Sequence, residues 1–326
     1  MSSQPGTYRT VQWVTVEPEY EGQRVDNFLF NRLKGVPKSR VYRILRKGEV
    51  RINKARVKPE YKLKSGDSLR IPPIRMDDQA SKPKAVPSQS LWQHLNQSIL
   101  FEDDTLMVIN KPSGMAVHGG DGIELGLIEA MRQIRDDCRY LELVHRLDKE
   151  TSGCVMIAKK RSMLKHLQNQ LRNPGGIDKR YLALVYGAWP RRVSHIEQPL
   201  KRLELPDGNR IVKVHPEGKP SATNFTIVEQ FTLRGVGPLT LVEAKPLTGR
   251  THQIRVHAQF AGHSLIGDKK YGNDDINKAV AQVAPTRLCL HAKSLVIPPP
   301  ETEPFTVEAP LLPDLTLLLD RLRTEE

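Results

Sequence analysis

One carboxylate in this chain has surroundings that suit it to chemistry. In Glu142-Leu-Val-His-Arg-Leu-Asp-Lys-Glu-Thr-Ser-Gly153, Asp148 stands between Arg146 and Lys149. A bare Arg-x-Asp is most often a surface ion pair. Here Thr151, Ser152 and Gly153 add turn chemistry and the apolar run Cys154 to Ala158 follows at once. The charges are therefore expected on a loop at the mouth of a buried strand, a usual address for catalysis. An ionised carboxylate there can serve as nucleophile or proton acceptor.

Three other motifs carry reactive residue types. Asn110-Lys-Pro-Ser-Gly-Met-Ala-Val-His-Gly-Gly120 has the Gly114-x4-Gly119 spacing of a phosphate loop. Gly120 and Asp121 stand where Lys and Ser or Thr are needed, so it is no nucleoside triphosphate site and reads as a structural turn supporting an active site. In Asp178-Lys-Arg-Tyr-Leu-Ala-Leu-Val-Tyr-Gly187, Lys179 and Tyr181 alternate with Arg180 at the start of a strand, a position where tyrosine most often packs. Pro246-Leu-Thr-Gly-Arg-Thr-His-Gln-Ile-Arg-Val-His257 gathers Arg250, His252, Arg255 and His257. No third ligand supports a metal reading of its two histidines, and none is expected. Cys138, Cys154 and Cys289 are odd in number, far apart and in no CxxC pair, so they read as buried apolar groups rather than a disulfide or zinc framework.

These motifs need elements to position them. A chain of 326 residues exceeds a single core, so two domains are expected. The net charge is +13 (50 basic minus 37 acidic). Between Glu21 and Pro72, 15 Lys or Arg face 5 Asp or Glu, a net of +10 (15 minus 5), so most of the excess sits in one stretch. Concentrated positive charge is the footprint of a nucleic-acid binder. Within it, Val25, Phe28, Leu29 and Leu33 recur at helical spacing and Gly35-Val36-Pro37 closes that helix. A second helix has Ser39 as its cap, Val41, Ile44 and Leu45 as its apolar stripe and Gly48 as its stop. Lys38, Arg40, Arg43 and Lys47 fall on or beside its other face, a phosphate-binding candidate. Short alternating segments follow at 50–52, 55–57 and 68–71, the first two joined at Asn53-Lys54. Two helices on a small sheet, in this order, resemble the S4 RNA-binding domain.

Residues 1–72 are thus expected to form that domain, with its core at 21–72. Residues 73–98, rich in Pro, Ser, Gln and Lys, are expected to be a flexible linker, and 99–326 a catalytic domain. Strand-like runs at 106–109, 155–158, 181–185, 225–228 and 239–243 alternate with a few helical stretches. The fold class is α+β, with a mixed, mainly antiparallel sheet. Leu315, Leu318, Leu319 and Leu322 mark a packed terminal helix. No apolar run approaches the roughly 18 residues that span a bilayer, and residues 1–16 do not read as a secretion signal, so a cytoplasmic protein is expected.

Together His145-Arg-Leu-Asp-x-x-Thr-Ser-Gly153, Asn110-Lys-Pro-Ser-Gly114 with Val117-His-Gly119, Lys179-x-Tyr181, Gly249-Arg-Thr-His-Gln-Ile-Arg-Val-His257 and Arg287-Leu-x-Leu-His-Ala292 resemble the motifs of the RluA family of pseudouridine synthases. The N-terminal runs Lys34 to Ser39, Tyr42 to Val50 and Lys58 to Leu63 are similar to those of members acting on the ribosomal large subunit. The resemblance implies isomerisation of uridine. The N1–C1′ bond breaks and the base is rejoined through C5, with no cofactor and no metal. Asp148 is then the catalytic carboxylate, attacking C6 or C1′ or removing a sugar proton. Arg255 is its basic partner, and Tyr181 holds the uracil face. His145, Arg146, Lys179, Arg250 and His252 join the RNA contacts, and Arg146 is placed to fill the stack vacated by a flipped base.

The implied partner is large-subunit ribosomal RNA or its assembly intermediate, bound by a monomer with no membrane. Two rivals are a non-catalytic RNA-binding ribosome assembly factor and a base-excising glycosidase. The presence of Asp148, Tyr181 and Arg255 together weighs against the first. Excision needs a positioned water and an acid, which these motifs do not identify, and that weighs against the second.

Overall fold

A computed structural model of the chain describes residues 10–33, 36–74, 86–120, 123, 125–138, 140–173, 175–206, 208–284 and 286–324. The expectations for Lys34, Gly35 and 75–85 lie outside the described residues. The chain divides into two compact units, Met1–Lys84 and Ala85–Glu326.

In the first unit β1 (Gln12–Thr15) and a turn of 3-10 helix precede α1 (Val25–Arg32) and α2 (Lys38–Arg46). Then come β2 (Arg51–Ile52), β3 (Ala55–Arg56) and β4 (Ser68–Ile71), in the antiparallel order β1-β4-β2-β3. Phe28 and Leu29 of α1 and Val41, Ile44 and Leu45 of α2 pack on Ile52, Leu69 and Ile71 of the sheet. Gly48 ends α2 because the stop needs a left-handed residue, and its φ is +69°. Asn53 and Lys54 are both left-handed, as a two-residue β2–β3 hairpin turn requires.

Two details differ from expectation. The unit's core begins before residue 21, because β1 supplies an edge strand whose four residues are too few for a clear period-2 signal. Ser39 is not the cap of α2. The helix starts at Lys38 behind Pro37, which makes no side-chain cap bond and whose φ of −56° already suits the first turn.

The second unit opens with α3 (Gln89–Gln97), β5 (Ile99–Glu102), β6 (Leu106–Lys111), α4 (Leu127–Ile134) and β7 (Glu142–Leu143). It continues through β8 (Ser152–Ala158), α5 (Arg161–Arg172), β9 (Asp178–Tyr186) and β10 (His195–Glu197). A separate hairpin of β11 (Leu200–Glu204) and β12 (Arg210–Val214) precedes the long pair β13 (Ala222–Leu233) and β14 (Gly237–Pro246). The chain ends with α6 (Gln253–Phe260), α7 (Asp274–Val283), β15 (Leu290–Ile297), β16 (Phe305–Glu308) and α8 (Pro313–Thr324).

The main sheet runs β10-β13-β14-β9-β15-β8-β6-β5, with β16 beside β15 and β7 beside β8. The β8–β15 pair is parallel, and the other pairings described are antiparallel. β6 and β8 are buried along their whole length, with Leu127, Ile128 and Met131 of α4 and Met163 and Leu167 of α5 in the same core. None of the described helices is long and apolar enough to cross a membrane.

The stretch 73–98 is not linker throughout. Ser88 caps α3 by accepting a hydrogen bond from the Leu91 N–H, and Leu95 is fully buried in the core of β6 and β8. The Pro and Ser content around α3 hid a Leu91–Leu95 helical spacing. Asn273 caps α7, whose Val280 packs with α8. Cys154 and Cys289 are buried as expected, whereas Cys138 is only half-buried. Leu95→Ala tests the placement of α3. It should destabilise the second unit by about 3 kcal/mol, seen as a lower urea midpoint for that unit's transition, whereas a true linker residue would leave the midpoint unchanged.

Candidate active site

The Asp148 loop is held carbonyl by carbonyl. β6 and β8 pair with Lys111 opposite Gly153, which brings Asn110-Lys-Pro-Ser beside the end of the loop. The Asp148 carbonyl accepts from the Thr151 N–H at 3.1 Å. The Lys149 carbonyl accepts from Lys111 Nζ at 3.0 Å and the Glu150 carbonyl from Ser113 Oγ at 2.7 Å. Lys111 is fully buried and also donates to the carbonyls of Pro112 (2.8 Å) and Met115 (2.7 Å). Burial pulls its pKa down to about 7, yet three carbonyls call for three N–H groups, and the ammonium alone supplies them. Gly153 has a φ of +107°, and a Cβ there would collide with the Ala292 backbone. The Asn110 motif is therefore the structural support that its sequence suggests.

Two histidines pin the loop's flanks. His145 Nε2 accepts from the Met156 N–H at 3.1 Å, so that nitrogen carries no proton. On the far side, Ser152 Oγ accepts from Arg287 Nη2 at 3.0 Å and lies 2.9 Å from His291 Nδ1. His291 Nε2 faces the Ala309 carbonyl at 3.1 Å, so Nε2 carries the proton and Ser152 donates to Nδ1. Burial lowers the pKa of both rings to about 4, so both are neutral at pH 7.

The charge centre has two carboxylates and one guanidinium. Arg255 in α6 donates through Nε and Nη2 to both oxygens of Asp268, each at 2.7 Å. Its Nη1 reaches Asp148 Oδ2 at 3.2 Å. The Asp268 side chain is wholly buried and also accepts the N–H groups of Lys270 and Tyr271, whereas Asp148 keeps 24% of its side chain exposed. Arg255 also lies over the Tyr271 ring, 5.0 Å from its centroid.

His252 precedes α6 in a left-handed conformation, with its Nε2 3.7 Å from Asp148 Oδ2. Its Nδ1 lies 2.7 Å from the Tyr271 hydroxyl, which already accepts the Val212 N–H at 3.0 Å. The phenolic proton therefore points at Nδ1, and the neutral ring carries its own proton on Nε2, toward Asp148. Burial keeps the His252 pKa below the ordinary imidazole value, against the pull of Asp148. His257 turns away, to the hydroxyls of Ser221 and Thr223. The two histidines of this motif thus have separate hydrogen-bond partners.

Tyr181 packs against the cores on either side of β9, and burial, helped by the charge of Asp148, raises its phenol above its ordinary value. It is no base at neutral pH. Arg180, on the opposite face of the strand, pairs with Glu243 at 2.8 Å. His145, Arg146, Asp148, Lys179, Tyr181, Arg250, His252 and Arg255 all line one cavity of about 670 Å³. Among the described residues that line it, Arg146, Arg172, Lys179, Arg250 and Arg255 are cationic and Asp148 alone is acidic. In the first unit Lys38, Arg43 and Lys47 are exposed on or beside α2, and Arg40 is half-buried.

Residues 105–260 match a family model described as RNA pseudouridylate synthase, and residues 23–69 match the S4 domain. A relative from Pasteurella multocida, named ribosomal large subunit pseudouridine synthase C, is 49% identical over 98% of this chain and 96% of its own. Its Escherichia coli K12 namesake is 48% identical over 96% of this chain and 97% of its own. This chain belongs to the RluA family of pseudouridine synthases. It is an isomerase with an N-terminal S4 domain. Among solved structures, human RNA pseudouridylate synthase domain containing 4 superposes with a TM-score of 0.57 at 27% identity, covering 72% of this chain and 96% of that one.

In this RluA-family chain, sequence reasoning missed Asp268, Tyr271 and Arg172. A signal existed for the first two in Gly267-Asp-Lys-Lys-Tyr-Gly272, where a Cβ at Gly267 would meet the Arg287 carbonyl. Two predictions follow from the histidines. Because the folded-state pKa of His291 is lowered, the unfolded chain binds more protons between about 4 and the ordinary 6.5. Stability is therefore full above 6.5 and falls as pH drops through that window, by on the order of 2 kcal/mol per histidine at pH 5. Urea unfolding at pH 5 and 7 should show this loss, and His291→Gln should reduce it. Tyr271→Phe removes the proton aimed at Nδ1, so the nitrogen-15 shifts of the His252 ring should move from the Nε2–H tautomer toward a mixture. An unchanged spectrum would refute the hydrogen-bond assignment.

Proposed function

We propose that this pseudouridine synthase isomerises uridine in large-subunit ribosomal RNA, in the cytoplasm and as a monomer, with Asp148 as the catalytic carboxylate. The observation that carries the reading is a single carboxylate facing a nucleotide-sized cavity whose other charged walls are cations. Such a cavity suits a phosphodiester-linked substrate, and the names of the relatives indicate ribosomal RNA. Uridine and pseudouridine have the same atoms, so the reaction has no net oxidation or hydrolysis and calls for no cofactor. What it needs is an ionised group beside C6 and C1′ of an extruded nucleotide, and Asp148 fits that role.

The neighbouring residues divide the remaining work. Arg255 pairs with Asp148 through one N–H and leaves Oδ1 without a bond to that guanidinium. Tyr181 offers its ring to the uracil face, and its raised pKa suits it to positioning rather than proton removal. Arg146 is exposed at the cavity, so its planar guanidinium can occupy the vacated stack. Lys179, Arg172 and Arg250 are placed to meet phosphates, His252 presents a neutral N–H, and His145 keeps the loop in place. Lys38, Arg40, Arg43 and Lys47 add sequence-independent affinity from the S4 domain.

Single-turnover conversion of a ribosomal stem-loop, read by mass spectrometry after chemical tagging of pseudouridine, tests the assignment. Asp148→Asn keeps shape and hydrogen-bonding capacity but loses the charge. The rate should fall by roughly 10³-fold or more, with filter binding near wild type. Near wild-type conversion by this variant would overturn the role of Asp148. In a strain lacking the protein, pseudouridine lost from transfer RNA alone would overturn the substrate.

A further inference from the structure

The sheet of the first unit carries a row of side chains that the fold itself does not explain. Residues paired across antiparallel strands point to the same face. Trp13 of β1 pairs with Arg70 of β4, Arg70 with Arg51 of β2, and Arg51 with Arg56 of β3. One aromatic ring and three guanidiniums therefore stand side by side across all four strands, a span of about 14 Å at ordinary strand spacing. The other face of the sheet turns Leu69, Ile71 and Ile52 into the core.

Trp13 is 58% exposed, Arg51 and Arg56 are exposed, and Arg70 is half-buried. The only side-chain bonds described for the three arginines go to backbone carbonyls. Arg70 Nη1 donates to Glu49, Arg51 Nε to Gly48 and Arg51 Nη1 to Lys54. Among the described residues, no carboxylate forms an ion pair with any of the three. Two acids of the unit are engaged elsewhere, Asp26 with Arg24 and Asp67 with Asn53, Tyr61 and the Lys64 N–H.

Like charges placed directly opposite one another destabilise a sheet, and an exposed tryptophan on an edge strand gains little from burial. The row is thus a cost to the isolated fold, and a ligand that neutralises the arginines and covers the ring would remove it. Single-stranded nucleic acid does both, because its phosphates meet cations while a base stacks on an aromatic face. The row is also continuous with the basic end of α2. The Arg56 side chain runs so close over Gly48 that a Cβ there would collide with it, and Lys47 caps the helix just before.

We propose that Trp13, Arg70, Arg51 and Arg56 form a second RNA-binding surface in the S4 domain. It takes a short single-stranded run, with one base on Trp13 and successive phosphates on the arginines. This rests on the reading that the S4 domain binds RNA, and it adds a sheet face to the helical face of α2. A base stacked on the ring quenches tryptophan emission, and the phosphates make affinity depend on salt.

The test titrates the full chain with a short fluorescently labelled oligoadenylate, which contains no uridine and is no substrate, at several salt concentrations. Trp13→Ala should weaken binding about tenfold without changing the salt slope, while Trp13→Phe retains most of the affinity. Arg51, Arg56 and Arg70 replaced together by Gln should lower the slope of log K against log salt by about 2. Replacing the three by Lys controls for folding and should restore the slope. Arg43→Gln with Lys47→Gln probes α2 separately. If the α2 variant loses affinity while the Trp13 and triple-Gln variants bind as wild type, the sheet row is refuted and RNA binding by the S4 domain stands. If all the variants bind alike, both fail.

Discussion

Arg255 is shared unequally between two carboxylates, and the active site depends on that inequality. A guanidinium presents five N–H groups in a fixed plane, so its partners compete for edges rather than for charge alone. Asp268 takes the Nε and Nη2 edge with two short bonds, and two backbone N–H groups fix its Oδ1. Asp148 is left with Nη1 and one longer bond. A buried ion pair repays its desolvation only when its geometry is good, and here the good geometry belongs to Asp268. The cation is thereby anchored whether or not Asp148 is bound to it. The carboxylate facing the cavity can give up its single bond to substrate without leaving an unpaired guanidinium in the core.

The imidazoles near this pair add no further charge to it, and hydrogen-bond chains fix their orientation. The Val212 N–H donates to Tyr271, whose hydroxyl donates to His252. Arg287 donates to Ser152, which donates to His291, which donates to the Ala309 carbonyl. Each chain passes one proton direction from backbone or cation to a neutral imidazole, so the rings near Asp148 hold their orientation without adding positive charge. Lys111 is the exception in charge but not in logic. Three carbonyls surround its ammonium, and two of its bonds stay within its own motif while the third fixes the loop at Lys149. Rigidity at the Asp148 loop thus comes from satisfied buried polar groups rather than from apolar packing alone.

The sequence exposes those parts of the site whose residue types are costly or unusual, and it conceals those that depend on meeting in space. Asp148, Arg255 and Tyr181 lie in motifs dense enough to identify, and all three line one cavity. For Asp268 the glycines of Gly267-Asp-Lys-Lys-Tyr-Gly272 mark a constrained turn but not a role, because what defines the residue is the pairing of its buried carboxylate with Arg255, which no local pattern encodes. β1 and α3 were missed for another reason. Each lies in a polar or Pro-rich setting, and only pairing with β4 or burial of Leu95 makes it part of a core. The long central strands were legible because burial on both faces leaves continuous apolar runs such as Cys154 to Ala158. The helix assigned to Ser39 by capping propensity begins instead behind Pro37, since a fixed φ can start a turn as well as a side-chain acceptor can.

The two kinds of cation in this chain work under different physics. At about 4 Å a pair of unit charges interacts by about 1 kcal/mol in water and by about 4 kcal/mol at the effective dielectric of a partly buried site. Exposed residues such as Arg43 and Lys47 work near the first limit. Attraction between such exposed cations and phosphates is weak and salt-sensitive, and affinity rises only by adding more of them. Arg255, with a tenth of its side chain exposed, works near the second. One such residue is enough to hold a carboxylate in position, but each further buried charge would cost desolvation and disturb it. Affinity for a polyanion therefore favours many exposed cations on a small domain, whereas the chemistry favours few, fixed and buried ones. A chain that must do both gains by carrying further exposed cations on a unit of their own, beyond Arg146, Arg172 and Arg250 at the cavity, since that unit's charges can change without altering the dielectric environment of Arg255.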